Sequence, residues 1–482
     1  MTELCDLSAV ELRRMIGARA VSPVELLESC LQRIDKVNPA LNAVVATCVP
    51  RARKEARAAE KAMMRGGDLP ALHGLPVGIK DLEETEGLRT TWGSPIYARH
   101  VPKQDNVMVA AVRAAGGIVV AKTNTPEFGA GANTNNPVYG PTGNPFDPLR
   151  TCGGSSGGSA VALATSMLPL CTGSDTGGSL RIPAAFCGIV GFRPSPGVVP
   201  ADRRQLGWTP LSVLGPMGRS VADTCLLLGP QMTGDSVDPF ARPLDAAAYS
   251  RPTPIDLAKL RVAVTEDFGF APVDKRIRQT LRERVRIFKS AFLRCQTATP
   301  DAGRTDDVFE ILRAQGFLVG HKEHYEKHRD KLGPNIVANY EQGLGYSAAD
   351  VAWAHAEQTR IYRGWQTFFH DHDVLISPTL SVPPFPWTER YVTHMNGKEL
   401  RTYFHWLAMT YAVTITGHPS ISIPCGLEPT GTPFHLQIIG PHGGDKLVLD
   451  VAHALERHMA GDPRTARPMP DLAALAKAKV AR

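Results

Sequence analysis

The sequence predicts an α/β fold: one large domain with a mixed, largely parallel central β-sheet sandwiched by α-helices. Three observations carry this. Helical patterns alternate with short apolar runs, as where 107–116 (VMVAAVRAAG) leads into 117–121 (GIVVA). Such alternation implies strands joined by helical crossovers. Strand-like runs also recur on both sides of a charged, aromatic-rich stretch at 230–370. That stretch therefore reads as an insertion on the sheet's rim, not as a detachable domain. Finally, the 482 residues are 43% hydrophobic and 21% charged, enough to bury a large core and too apolar for a mainly disordered chain. Length alone would suggest about three domains, but the flanking strand signals favour one.

The elements follow in chain order. In Ser22–Val44, residues Val24, Leu27, Leu31 and Ile34 recur at helical spacing, with Ser22 as N-cap and Pro23 in the first turn. A charged helix is expected near Arg51–Met64, its basic run Arg51–Arg57 forming a solvated face. The run Leu75–Ile79 ends at Lys80-Asp81. Ser159–Ser166 suits a helix, Met167–Cys171 a strand and Tyr346–Phe369 a helix, with Trp353, Trp365 and Phe368 packed on the core. Strand signals return at Val374–Ile376, Ser420–Ile423 and Leu436–Ile439. The organisation expected is a core at 71–230 carrying the glycine-serine loops, a helical insertion at 231–370 that shapes a pocket, and strands and a helix at 371–460 completing the core. The last 20 or so residues read as a loosely held tail.

Composition narrows the class. A net charge of +6 is small for this length and argues against nucleic acid as the main partner. The nine cysteines are scattered, odd in number and without a CxxC pair, so reduced thiols in a cytoplasmic protein are expected, with no disulfide framework and no zinc site. Cys152 and Cys187 read as small packing residues. The start, MTELCDLSAVELRRMIG, is charged too early for a signal peptide, and no apolar run reaches the roughly 18 residues of a membrane span. His321, His324 and His328 have helical spacing, but the charged residues between them suggest a solvated face and no metal.

Two segments dominate the chain: Gly153-Gly-Ser155-Ser156-Gly-Gly-Ser159 and Gly173-Ser-Asp175-Thr176-Gly177-Gly178-Ser179. Glycine lets a backbone approach a ligand closely, and successive free N–H groups make a nest for negative charge. A serine ending such a loop stands beside a ready-made oxyanion hole. The phosphate-binding pattern GxxxxGK[ST] is absent. Residues 154–158 match G-x-S-x-G formally, but 141–152 (PTGNPFDPLRTC) is no strand to feed a nucleophile elbow.

These loops, with Gly78-Ile-Lys80-Asp81, Lys122-Thr-Asn-Thr-Pro-Glu127, the run 173–195 (GSDTGGSLRIPAAFCGIVGFRPS) and Gly417–Gly426, make the chain resemble the amidase signature hydrolases over most of its length. The resemblance implies that family's large mixed sheet flanked by helices and a Ser-cisSer-Lys triad, with no cofactor and no metal. Carried residue by residue, Ser179 is the nucleophile, Ser155 the cis-serine after Gly154, and Lys80 the buried base. Thr176, Gly177, Gly178 and Ser179 supply oxyanion N–H groups, and Gly129 lines the substrate pocket. A serine hydroxyl needs a base, and a lysine buried after an apolar run has a lowered pKa. Asp175 and Arg181 read as an ion pair bracing the nucleophile loop, and Ser156 as a brace or a hydrogen-bond donor in the site. The implied function is cleavage of the C–N bond of linear carboxamides, including aryl amides or carbamates, with esters as side substrates. The implied partners are a small amide or carbamate and a second copy of the chain, with no membrane and no nucleic acid. The alternative is the A subunit of a glutamine-dependent tRNA amidotransferase. Against it, 197–216 reads GVVPADRRQLGWTPLSVLGP where that subunit continues with a Tyr-Gly-Leu-Val-Ala-Phe-type segment.

Overall fold

A computed structural model describes residues 3–478. Among them, eleven strands form one sheet: β1 (Val44–Thr47), β2 (Pro76–Lys80), β3 (Ile118–Thr123), β4 (Leu170–Asp175), β5 (Val190–Arg193), β6 (Val213–Gly218), β7 (Arg261–Val264), β8 (Arg294–Thr297), β9 (Val374–Pro378), β10 (Ser420–Leu427) and β11 (Pro433–Ile439). Their spatial order is β1-β3-β2-β4-β6-β5-β10-β11-β9-β7-β8. The sheet is mixed, as expected. Parallel pairing holds in two blocks, β3–β2–β4 and β9–β7–β8. The junctions from β4 to β9, and the β1 edge, are antiparallel. Helical crossovers separate the parallel strands, whereas a turn at 428–432 joins β10 to β11 as a hairpin.

The helices that position the site are α1 (Pro23–Leu41), α2 (Val49–Arg65), α3 (Val107–Ala114), α4 (Gly157–Ala164), α5 (Arg181–Cys187), α6 (Thr305–His328), α7 (Pro334–Leu344), α8 (Ala348–Asp371), α9 (Ala408–Thr416) and α10 (Leu472–Lys477). Helix α1 begins with a capping box between Ser22 and Glu25 and ends at Asn42 in the left-handed conformation. On α2, Ala52 and Ala56 are buried while Arg53, Lys54 and Arg57 stay exposed.

Side-chain alternation divides the core between the two sheet faces. On β3, Val119 joins one apolar cluster, and Ile118 and Val120 the other. On β2, Val77 and Ile79 enter the first cluster, so Gly78 and Lys80 point to the opposite face. There Gly78 backs onto Leu168 and Cys171, and α4 and α5 cover the same face. Lys80 and the helices that follow both glycine-serine loops therefore share one side of the sheet.

Two expectations need correction. The 230–370 stretch is not helical throughout, because β7 and β8 extend the sheet at its edge. Strand β8 (RCQT) is short, polar and largely exposed, so no alternation marked it. The tail expected to be loose spans about 463–482, of which 479–482 lie outside the described residues. Up to 478 the chain is docked: Leu475 is buried on the second cluster, and Arg467 Nε donates to Gly188 O at 2.8 Å. No helix among the described residues is long and apolar enough to cross a membrane.

Candidate active site

The site forms where the ends of β2 and β4 meet the two glycine-serine loops. Lys80, the last residue of β2, is fully buried. Its Nζ donates to Ser155 Oγ at 2.7 Å and to Ser174 Oγ at 2.9 Å. Burial pushes the ammonium down to about 7, against the opposing pull of Glu83 and Asp175. Ser155 follows a cis Gly154–Ser155 peptide. Ser156 braces the loop: its N–H donates to Ser179 O at 3.3 Å, and its Oγ to Ser174 O at 3.4 Å. Ser174, on β4, is a second partner of Lys80 that the motifs do not single out. Its only signal is its place inside the second glycine-serine segment, two residues before Thr176.

The Ser179 loop is held by a buried charge cluster. Asp175 accepts from Arg181 Nε at 3.0 Å and Nη2 at 2.9 Å, and from Arg193 Nη1 at 3.0 Å, with all three side chains fully buried. Burial alone would raise this carboxyl, but the two guanidiniums hold it well below the usual carboxylate range. Asp175 also accepts the N–H groups of Gly178 at 2.9 Å and Leu180 at 3.2 Å. The pairing of Asp175 with Arg181 is as expected. Arg193 is an addition, signalled only by a lone arginine inside the apolar run GIVGFRPS.

This cluster corrects one expectation. The Gly178 N–H is committed to Asp175, and the other end of the same peptide, Gly177 O, accepts from Thr410 Oγ1 at 2.6 Å. Gly178 itself has φ +127°, and a Cβ there would meet Thr410 Oγ1 at 2.3 Å. The peptide between Gly177 and Gly178 is thus pinned at both ends, and its N–H cannot face an oxyanion. The N–H groups of Thr176, Gly177 and Ser179 make no hydrogen bond among the described residues.

Gly129 lies beside Ser155. With φ +71°, it leaves little room for a side chain: a Cβ would sit 2.9 Å from Leu82 Cδ1 and 3.3 Å from Ser155 Oγ, so both would have to shift. Gly129→Ala should therefore lower kcat/KM roughly 10- to 100-fold by displacing Ser155, and stability by about 1–2 kcal/mol from backbone strain. Kinetics and a thermal melt check both. Unchanged kinetics with a lowered melting temperature would remove Gly129 from the site.

The preceding Phe128 overturns the solvated-face expectation for His321 and His324. Its ring stacks on His324 at 5.0 Å and meets His321 edge-on at 4.8 Å, and Tyr97 Oη lies 2.8 Å from His324 Nε2. Burial pushes His321 down to about 4 and lowers His324. These residues form a packed aromatic contact between α6 and the site loop, not a solvated face. Among the described residues, no three His, Cys, Asp or Glu side chains cluster as metal ligands would. Cys152 and Cys187 are buried thiols raised by desolvation, the former to about 12, as their packing role requires. Trp365 is buried in the core and stacks on Phe268 at 5.6 Å.

Comparison with known proteins identifies the family. The family model named Amidase matches residues 25–449. The chain belongs to the amidase signature family. It is 33% identical over 456 residues to an acylamidase of Rhodococcus erythropolis, covering 93% of this chain and 95% of the relative. It is also 33% identical to the A chain of the glutamyl-tRNA(Gln) amidotransferase of Anaeromyxobacter dehalogenans, covering 97% and 99%. Among solved structures, a bacterial aryl acylamidase of the amidase signature family superposes with a TM-score of 0.86 at 26% identity, covering 98% of this chain and 99% of that one. This amidase is accordingly a hydrolase of carbon–nitrogen amide bonds.

Proposed function

We propose that the chain hydrolyses the C–N bond of linear carboxamides through an acyl-enzyme, with Ser179 as nucleophile, Ser155 as proton relay and Lys80 as base. The observation that carries this is the 2.7 Å contact between Ser155 Oγ and a fully buried Lys80 Nζ that burial brings to about 7. An amine poised there is neutral for much of the time at physiological pH, so its lone pair can accept a proton. Ser155 gives its proton to Nζ while Ser155 Oγ takes that of Ser179, and Ser179 Oγ attacks the carbonyl carbon. The oxygen gathers negative charge opposite the N–H groups of Thr176, Gly177 and Ser179. Collapse breaks the C–N bond, and the proton returns through Ser155 to the departing amine. Water then attacks the ester of Ser179 by the same relay and releases the acid. Carbamates and esters offer the same tetrahedral chemistry and belong to the substrate range.

A fluorophosphonate that reacts with activated serines tests the nucleophile. It should label the peptide carrying Ser179 in the native chain and nothing in Ser179→Ala, and a panel of amides, carbamates and esters should be turned over only by the former. Equal labelling of the variant would overturn the assignment. The amidotransferase relative favours a second reading, a glutaminase component of a larger complex. Glutamine hydrolysis that appears only with added partner proteins, without turnover of simple amides, would select it.

A further inference from the structure

A cavity of about 360 Å³ lies against the site loop, within the size range of small-ligand pockets. Its floor includes Ala130, Gly131 and Ala132, which directly follow Gly129. Ala132 abuts the backbone of Gly154, where a Cβ would come within 3.0 Å of its carbonyl carbon. On the far side, Leu407 O accepts from Thr410 Oγ1, the hydroxyl that also pins Gly177. The cavity is therefore bordered by chain that touches one glycine-serine loop at Gly154 and is linked to the other through Thr410.

Several lining residues are polar, and the buried ones already have most of their polar atoms engaged. Glu127 accepts from Ser94 Oγ at 2.8 Å and from Gly333 N–H at 2.7 Å. Asn133 donates to the carbonyls of Trp387 and Glu389, and its Oδ1 accepts from Thr151. Asn335 Nδ2 donates to Ala130 O at 2.9 Å. What remains to meet a ligand is four rings, those of Trp387, Tyr391, Tyr403 and Trp406, with the exposed Asn135, Thr388 and Arg390 beside them. Two of them are fixed in advance. Trp406 is buried, stacked on Phe186 at 6.3 Å and edge-on to Phe385 at 5.3 Å. The Tyr403 ring lies under the Arg313 guanidinium at 5.3 Å, and its Oη accepts from Asn339 Nδ2 at 2.6 Å. Tyr391 stands 5.7 Å from Tyr403. Fixed rings at such spacing favour a flat aromatic guest over a puckered aliphatic one of similar area.

We propose that this cavity is a specificity site for an aryl group carried by the substrate, with Trp387 and Tyr391 as its selective walls. The proposal rests on the amidohydrolase reading for its substrate but not for its binding chemistry. The ring can come from either half of the amide, so two pairs of compounds are needed. N-benzylacetamide against N-(cyclohexylmethyl)acetamide puts it on the amine side, and phenylacetamide against cyclohexylacetamide on the acyl side. The aryl-to-cycloalkyl ratio of kcat/KM should fall roughly 3- to 10-fold in Trp387→Leu and Tyr391→Leu relative to the native chain, in the series whose ring enters the cavity. Comparing ratios between proteins cancels the different reactivities of the amines. The same four compounds are titrated by saturation-transfer NMR onto Ser179→Ala and onto its double variants with Trp387→Leu and Tyr391→Leu. Preferential aryl binding that is lost in the double variants supports the site even if no amide is turned over, an outcome that would sink the hydrolase reading alone. Ratios and affinities unchanged in both series would overturn the site.

Discussion

Lys80→Met should lower kcat/KM on any amide substrate by roughly 10⁴-fold, the scale of losing a catalytic base, while the circular dichroism spectrum stays native. The methionine stem fills the space of the lysine stem, and the native group is already about half neutral near pH 7, so the fold does not depend on its charge. The cost to the fold is confined to the hydroxyls of Ser155 and Ser174, which lose a partner at 2.7 and 2.9 Å, about 1–3 kcal/mol. The pH profile of the native enzyme provides the second readout. Burial holds Lys80 near 7, below the ordinary lysine value of 10.5, and in the proposed mechanism the active form is the neutral amine. Activity should therefore rise with pH and level off above about 7, with kcat/KM falling tenfold per unit on the acid side. The carboxylate of Glu83 opposes that depression. Glu83→Gln should consequently move the acid limb to lower pH, a shift that a merely structural role for Lys80 would not produce. An acid limb unaffected by Glu83, together with residual activity in Lys80→Met, would remove Lys80 from the base position.

The parts of this architecture legible in sequence are those fixed by local pattern. The end of β2 at Lys80, the glycine-serine loops and the helix α1 with its serine cap each depend on neighbours a few residues away. The parts that were not legible depend on distant contacts. Strands β7 and β8 carry four residues each, and β8 is largely exposed, so only its pairing with β7 makes it a strand. His321 and His324 sit among charged residues, yet Phe128, nearly 200 positions earlier, provides a ring on which they pack. Up to 478, the tail is held by Gly188 and by second-cluster residues far from it in sequence.

The site divides along the same line. Lys80, Ser155 and Ser179 are marked by motif, and the structure brings Lys80 Nζ and Ser155 Oγ into contact while tying Ser179 to Ser156 through the backbone. Motif could not say which way each peptide of the Ser179 loop faces. Four N–H groups were expected to point at an oxyanion, and the orientation of one is decided by Asp175 and by Thr410, a residue on α9 more than 200 positions away. Ser174 and Arg193 escape notice for a related reason. Their sequence neighbourhoods are apolar or glycine-rich, and their roles arise from strand pairing that puts β4 beside β2 and β6, and β6 beside β5.

Asp175→Asn should destabilise the protein by about 3–5 kcal/mol, the expected cost of removing one member of a buried ion cluster. The carboxylate neutralises part of the charge of two fully buried guanidiniums, Arg181 and Arg193. An asparagine would leave both cations buried without a counter-ion, and its amide hydrogens would confront a guanidinium or the N–H of Gly178. Activity should fall with stability, because the same carboxylate fixes the Gly178 peptide that orients the Ser179 loop. A thermal melt separates the two effects: kinetics measured well below the lowered transition should still show the loss. The sign of the pH dependence follows from the direction of the shift. The folded carboxyl is held below its unfolded value of 3.8 by Arg181 and Arg193 despite burial. Its contribution is therefore fully present above that value and is lost progressively as pH falls below it. The native protein should lose stability steeply in strong acid, and Asp175→Asn should flatten that part of the curve. A variant as stable as the native chain at neutral pH, with the same acid limb, would show that the cluster does not hold the loop.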